Sequence, residues 1–160
     1  MLIKHSLKTG FSFGLTSGII TTLGLIVGLH SGTHSKTVIL GGILTIAVAD
    51  AFSDALGIHI SEESEIKHGP LEIWTATLST FFFKFLFSST FFIPVLFFPL
   101  ATAVAVSIAW GTVLLVAFSY ILARQQKEKP FKVITEHLLI VILVIAITHR
   151  VGQYIAEKFN

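Results

Sequence analysis

The feature that most constrains this chain is a series of apolar stretches, each long enough to cross a lipid bilayer. A helix rises about 1.5 Å per residue, so about 20 apolar residues span the hydrocarbon core. Residues 71–123 exceed one span and are divided near Pro94 and Pro99, where a helix should break. We predict an all-α polytopic integral membrane protein, residues 1–160 forming one transmembrane domain, with five helices at about 11–29, 37–60, 71–92, 100–122 and 133–155.

The composition agrees with a membrane protein and excludes several other classes. Hydrophobic residues make up 53% of the chain and charged residues only 12%, whereas soluble domains carry roughly 25% charged residues. The net charge of +2 is too small and scattered to indicate nucleic-acid binding. The chain has no cysteine, and we find no nucleophile–base pair or metal-hydrolase motif. We therefore expect neither an enzyme nor a bound cofactor.

The basic residues between the spans predict the orientation, because cytoplasmic loops are enriched in lysine and arginine. With the N-terminus inside, seven basic residues lie on the inner side, namely Lys4, Lys8, Lys67, Arg124, Lys127, Lys129 and Lys132. Three lie outside, namely Lys36, Arg150 and Lys158. The N-terminus is thus predicted to be cytoplasmic. The short stretch before the first span favours a prokaryotic plasma membrane, with an organelle membrane as the alternative.

Two carboxylates interrupt the apolar sequence of the second span, "AVADAFSDALGIHISEESE". Asp50 and Asp54 are four residues apart, so they lie on one face of a helix. At 100° per residue, Gly57, Ser61 and Glu65 fall within about 60° of Asp50 and extend this polar stripe. His59 falls on the opposite face. An ionisable residue within a membrane costs a few kcal/mol and indicates a functional site by default.

A stripe of carboxylates suits a path for a divalent cation, because oxygen ligands bind ions such as Mg²⁺, Mn²⁺ and Fe²⁺. Metal binding displaces protons from its ligands, so transport would be proton-coupled. The competing interpretation is structural: Asp50 and Asp54 could pair with Lys84 and hold helices together. Lys84 lies near the middle of the third span and should face the bundle interior. Whether it acts as counter-ion, stands in for a bound cation or forms a structural ion pair stays open.

Two further groups of polar or small residues are candidates. The first span carries a line of small residues that allows close helix packing, namely Gly10, Gly14, Ser17 or Gly18, Thr21, Gly24 and Gly28. Within it, Ser17 and Thr21 offer hydroxyl oxygens to an ion held by the aspartates, as Ser61 does from the second span. The acidic group Glu62, Glu63 and Glu65 is either a solvated helix end or an electrostatic funnel that attracts cations.

Two sequence motifs resemble those of the vacuolar iron transporter family. "TSGIITTLGLIVGL" (Thr16–Leu29) is similar to its first-helix motif, and "ADAFSDALGIHIS" (Ala49–Ser61) to its second-helix motif. The matching positions are Gly18, Thr21, Thr22, Ser53, Gly57 and Ser61. The five-span layout, the proline-rich turn and the basic loop before the last span also match. The resemblance implies a homodimer through helices 1 and 2 that exchanges divalent iron or manganese for protons.

The chain departs from the family pattern at its most important positions. Ser17 stands where the family has an aspartate, Asp54 where it has a metal-contacting methionine, and Ile58 where it has a glutamate. Asp50 is an additional acid. The cytoplasmic metal-binding domain that some members insert after helix two is replaced by the short stretch "SEESEIKHGP". A carboxylate has thus moved from helix one to helix two.

Together these patterns predict a proton-coupled exporter of a divalent metal cation, Fe²⁺ or Mn²⁺, in which the metal is substrate rather than cofactor. Asp50 and Asp54 would bind the ion, with Ser17, Thr21 and Ser61 as further oxygen contacts. Two alternatives stay open. One is a proton- or sodium-coupled exporter of another small solute, and the other is a non-transporting membrane scaffold or accessory subunit.

Overall fold

The computed structural model describes residues 2–65 and 69–159, and it is helical almost throughout. The elements are α1 (Leu2–Thr33), α2 (Lys36–Ser64), α3 (Pro70–Thr90), α4 (Phe92–Phe97), α5 (Leu100–Gln126) and α6 (Pro130–Phe159). In these ranges five helical stretches are long and apolar enough to cross a membrane: Ile3–Thr33, Lys36–Ser64, Pro70–Phe97, Leu100–Gln126 and Pro130–Phe159. The predicted all-α class with five membrane-spanning helices is confirmed. Lys67, which the orientation argument places inside, lies outside the described residues.

The helix break predicted between the third and fourth spans is present. Helix α3 ends at Thr90, and the N–H of Phe91 donates to Ser88 O at 3.2 Å. Pro94 then lies in the first turn of α4, where its missing N–H would have no intrahelical partner in any case. Pro99 forms the N-cap of α5. The two prolines thus shape one short element and the start of the next.

Packing divides the chain into two compact units, each of which includes part of α1 and part of α2. The first unit comprises Met1–Thr22 and Ile43–Phe92, and the second comprises Leu23–Gly42 and Ile93–Asn160. Fully buried side chains of the first unit are Ile19, Ala47, Ala51, Ala76 and Phe91. Those of the second are Leu23, Ile26, Ile39 and Val95.

In the first unit the glycines of α1 bring its backbone against α3. A Cβ atom on Gly14 would lie 2.7 Å from Thr80 O and 2.8 Å from Lys84 N. One on Gly18 would lie 3.1 Å from Lys84 O. Small residues at this spacing let two membrane helices touch along their backbones. The close packing predicted for this face is present, and it fixes where the Lys84 backbone sits.

In the second unit, hydroxyl–imidazole contacts join helices. Ser119 Oγ lies 2.7 Å from His137 Nδ1 and donates its own proton to Leu115 O at 2.6 Å. A hydroxyl has one proton, so Ser119 must accept from His137 Nδ1–H.

Lys36 Nζ donates to two carbonyls at the end of α4, Leu96 O at 2.9 Å and Phe98 O at 3.2 Å. These bonds tie the start of α2 to the turn before α5.

Candidate functional site

The centre of the candidate site is Lys84, on the buried face of α3 in the first unit. Its side chain is 0% exposed. The same face carries the buried hydroxyl residues Thr77, Thr80 and Ser88. The predicted inward orientation of Lys84 is therefore correct. Helix α1 packs directly on the Lys84 backbone, and the Lys84 side chain extends to the two aspartates of α2.

Both intramembrane aspartates of α2 contact the Lys84 ammonium. Lys84 Nζ lies 2.5 Å from Asp50 Oδ2, and it also donates to Asp54 Oδ2. The Asp50 oxygen does not satisfy hydrogen-bond geometry, so that contact is a charge pair rather than a directed bond. The spacing of Asp50 and Asp54 on α2 thus places two carboxylates around one cationic nitrogen.

Ser17 of α1 completes the cluster. Its Oγ donates to Asp54 Oδ2 at 2.7 Å and accepts from Lys84 Nζ at 2.9 Å. The Lys84 ammonium has three protons, and its three oxygen neighbours come from Asp50, Asp54 and Ser17. We call these four residues the lysine–aspartate cluster. It joins α1, α2 and α3 through side chains alone.

The cluster is asymmetric in exposure and in charge. Lys84 is fully buried, whereas the side chains of Asp50 and Asp54 are 28% and 19% exposed. The carboxylates are therefore approachable from the side away from the ammonium. Two carboxylates and one ammonium leave one net negative charge. An unbalanced charge within a bilayer is costly, so the cluster favours the arrival of an additional positive charge.

The geometry of the lysine–aspartate cluster is that of an oxygen-lined cation position. Three oxygen atoms converge on Lys84 Nζ, with separations of 2.5 Å for Asp50 and 2.9 Å for Ser17. Hard divalent cations take oxygen ligands at about 2.0–2.6 Å. A small inward shift of these side chains would therefore suit a metal ion at the position that the ammonium occupies.

The other predicted oxygen contacts lie outside the cluster. The Thr21 hydroxyl donates to Ser17 O of its own helix at 2.8 Å. Thr21 therefore supports the Ser17 turn of α1 rather than the acids directly. Ser61 is exposed, near the C-terminal end of α2. Its carbonyl accepts from Ser64 Oγ at 2.7 Å.

The three glutamates at the end of α2 differ in their exposure. Glu63 and Glu65 are exposed, but Glu62 is only 9% exposed. Helical periodicity explains the difference, since Glu62 falls seven residues after Ala55 on the buried face of α2. Only Glu63 and Glu65 can therefore contribute to an open acidic surface.

His59 lies outside the lysine–aspartate cluster, although it contacts α3, the helix that also carries Lys84. Its Nδ1 is 3.0 Å from Thr77 Oγ1, and its ring packs edge-on against Trp74 with centroids 4.8 Å apart. Thr77 Oγ1 donates to Ile73 O at 2.8 Å, so it accepts from His59 Nδ1–H. His59 thus links α2 to α3.

Sequence reasoning missed two features. The double role of Ser17, bonded to both an aspartate and the lysine, follows from backbone contact between α1 and α3 and has no local signal. A second polar group lies in the other unit, where Ser31 Oγ is 2.6 Å from His149 Nδ1. Small residues beside both positions, Gly32 and Gly152, are the signal that could have indicated this contact.

Within residues 2–65 and 69–159, no three histidine, aspartate or glutamate side chains lie close enough together to hold a metal ion among them. No known protein-family model matches the sequence, and no curated protein matches it either. The fold defines the class: an integral membrane protein with five helices able to span a bilayer. Its most notable polar feature in the described residues is a buried lysine held between two aspartates of α2.

Proposed function

We propose that this protein exports a divalent metal cation, Fe²⁺ or Mn²⁺, from the cytoplasm in exchange for protons, and that it is a divergent relative of the vacuolar iron transporters. The membrane would be a prokaryotic plasma membrane. One observation carries the proposal: two carboxylate oxygens and one hydroxyl oxygen converge on a single buried cationic nitrogen, Lys84 Nζ. Oxygen ligands of this kind suit hard or borderline divalent ions.

In this proposal the Lys84 ammonium holds the cation position when no metal is bound. An arriving metal would take Asp50, Asp54 and Ser17 as ligands, and water would complete its coordination. The lysine side chain is long and flexible, so it can withdraw while its backbone stays fixed against α1. Rocking of α2, which meets α1 and α3 in the cluster only through side chains, would expose the site to each side in turn.

We further propose that the protein is a homodimer, with α2 at the interface. An exposed line of small residues runs along α2 at four-residue spacing: Thr45, Ala49, Ser53, Gly57 and Ser61. Small residues at this spacing favour close packing of membrane helices. Asp50 and Asp54 flank the line and are partly exposed. A second copy would cover carboxylates that are costly to leave in contact with lipid.

Metal flux into proteoliposomes under a pH gradient tests the transport proposal. We expect the wild type to move Fe²⁺ or Mn²⁺ and to move protons in the opposite direction. Asp50→Asn and Asp54→Asn should each lower the flux by about 10-fold or more, since weakening a metal site typically costs 10–100-fold. Glu157→Gln is the matched control, because it neutralises an exposed acid near the end of α6, outside both the cluster and the acidic end of α2.

Equal metal flux in the wild type and both asparagine variants would remove the aspartates from the site. Absence of metal flux in an intact wild-type protein would favour the transport of another solute or a structural role. Metal flux without proton movement would reject the proposed exchange for protons but would leave the proposed metal transport in place.

Disulfide cross-linking tests the dimer, because the chain has no native cysteine. Ser53→Cys places a thiol on the small-residue line, and oxidation in native membranes should give a cross-linked dimer. Val48→Cys is the control, since Val48 is also exposed but lies on another face of α2. Equal cross-linking at both positions, or none at Ser53, would contradict an interface on this line.

A structural role is the second candidate function, and one observation favours it. The Lys84 ammonium already has partners on both neighbouring helices: it donates to Asp54 and Ser17 and forms a charge pair with Asp50. A cluster of this kind could lock α1, α2 and α3 together in a non-transporting scaffold. In that case the aspartate variants would lose stability, and no metal-dependent flux would be seen in any variant.

A further inference from the structure

A second candidate site lies in the second unit, where α1, α5 and α6 line an open cavity of about 460 Å³. Ligand sites typically measure about 300–1,000 Å³ and combine apolar walls with a few polar groups. The apolar lining is Val27, Val104, Ile108, Ile142, Ile145 and Ala146. The polar lining is His30, Ser31 and His149. The cavity therefore has the make-up of a site for a small amphipathic molecule.

One residue of the polar lining, His30, carries a ring nitrogen with no partner in the part of the chain that the structure describes. Ser31 Oγ and His149 Nδ1 satisfy each other at 2.6 Å. His30 Nδ1, in contrast, is buried and finds no hydrogen-bond partner within residues 2–65 and 69–159. The His34 ring packs near it, with centroids 5.1 Å apart. A buried polar atom without a partner costs free energy, so a ligand would be favoured if the His30 ring turned Nδ1 towards it.

The lining also restricts the charge of the ligand. None of the residues that line the cavity is a lysine, arginine, aspartate or glutamate. A metal ion or carboxylate head would lose its hydration without gaining an opposite charge. A hydroxyl head avoids this cost, and it can either donate to or accept from His30 Nδ1, whichever tautomer is present. The branched aliphatic walls suit a hydrocarbon chain.

We propose that this cavity binds an uncharged lipid whose head group carries a hydroxyl, with that hydroxyl on His30 Nδ1 and the chain along the valine and isoleucine side chains. The site is separate from the lysine–aspartate cluster, and the proposal does not depend on metal transport. It assigns His30 a role in lipid recognition.

Native mass spectrometry of the purified protein in detergent, titrated with three probes of matched chain, tests the proposal. The probes are monoolein with hydroxyls, methyl oleate without a hydroxyl, and oleate with a charged head. We expect monoolein to bind about 3- to 10-fold more tightly than methyl oleate, the effect of one hydrogen bond. Oleate should bind more weakly than monoolein. Equal binding of monoolein and methyl oleate, or tighter binding of oleate, would overturn the proposal.

Two variants test whether the probes bind in this cavity. His30→Phe keeps a ring but removes the nitrogen, so monoolein should lose its advantage over methyl oleate. Ala146→Leu fills the cavity and should weaken both probes, while Ala105→Leu, on an exposed position of α5 outside the cavity, should change neither. Unchanged binding in Ala146→Leu would mean association with the apolar surface only. The wild-type comparison of probes keeps the proposal testable if a variant fails to fold.

Discussion

At the scale of single residues, the free energy of the lysine–aspartate cluster depends on keeping opposite charges together. Lys84 is fully buried, and its ammonium is surrounded by oxygens of Asp50, Asp54 and Ser17. Removing one partner of a buried pair leaves the other charge without compensation, which costs far more than the pair itself contributes. Removing a positive and a negative charge of the cluster together should therefore destabilise the protein less than removing one charge alone.

Lys84→Met tests this asymmetry. The variant keeps the volume of the side chain but leaves two carboxylates without a counter-ion. We expect it to lose about 3–5 kcal/mol of stability, seen as a lower thermal midpoint in detergent. The double variant Lys84→Met with Asp54→Asn should be less destabilised than the sum of the two single changes.

The matched control is Lys8→Met, because Lys8 is an exposed lysine near the start of α1. A midpoint unchanged by Lys84→Met, or equal losses in the two methionine variants, would show that the ion pairs do not stabilise the fold.

Substitutions of Ser17 and Thr21, both on α1, distinguish a hydroxyl that bonds to the lysine–aspartate cluster from one that bonds only within its own helix. Ser17→Ala removes bonds to both Asp54 and Lys84, whereas Thr21→Ala removes only a bond within α1. Loss of a hydrogen bond to a charged group costs about 1.5–3 kcal/mol, and loss of a neutral one about 1 kcal/mol. We expect Ser17→Ala to lower both the thermal midpoint and metal flux, and Thr21→Ala to leave flux near the wild-type value. The reverse order would place the hydroxyl contribution at Thr21.

At the scale of helices, backbone contact between α1 and α3 determines where the cluster forms. Gly14 and Gly18 meet the backbone of Thr80 and Lys84 without intervening side chains. Contact with α1 thus fixes the position of the Lys84 backbone. Only the Lys84 side chain and α2 are then free to move. The glycines are thus positioning elements for the cluster, although they bind nothing themselves.

Gly14→Ala measures this packing. The new Cβ would lie 2.7 Å from Thr80 O and 2.8 Å from Lys84 N, both backbone atoms that cannot rotate away. Overpacking of this kind typically costs about 1–3 kcal/mol, so the thermal midpoint should fall. Gly41→Ala is the control, since its Cβ would meet nothing within 4 Å, and a helical Gly→Ala change stabilises by up to about 1 kcal/mol. Equal effects would show that α1 and α3 do not pack this closely.

At the scale of the whole molecule, the inside-positive distribution of lysine and arginine predicts which end of each helix faces the cytoplasm. Four of the seven inner basic residues lie within or next to the connection between α5 and α6, namely Arg124, Lys127, Lys129 and Lys132. The direction of the proposed export depends on this orientation, because it decides from which side a metal reaches α2.

Single-cysteine labelling tests the orientation in a chain without native cysteine. Glu128→Cys, in the α5–α6 connection, should react with a membrane-impermeant maleimide only after the inner side is opened. Thr33→Cys, at the end of α1, should react in intact cells. The opposite pattern would invert the topology and turn the proposed exporter into an importer.

The sequence alone determined the number and type of the membrane-spanning helices, because about 20 apolar residues in a bilayer must satisfy their backbone hydrogen bonds internally. It also placed Asp50 and Asp54 on one face of α2, since helical periodicity is a local property. The inward position of Lys84 followed from the cost of a charge in lipid. The break around Pro94 and Pro99 followed from the missing proline N–H.

Only the tertiary structure decided which partners these groups meet. Asp50, Asp54, Ser17 and Lys84 come from three helices, and their meeting depends on the depth and rotation at which α1 and α3 interlock at Gly14 and Gly18. The burial of Glu62 and the cavity beside His30 likewise depend on neighbouring helices. Helical periodicity determines which residues share a face of a helix, but the packing of helices determines which residues that face contacts.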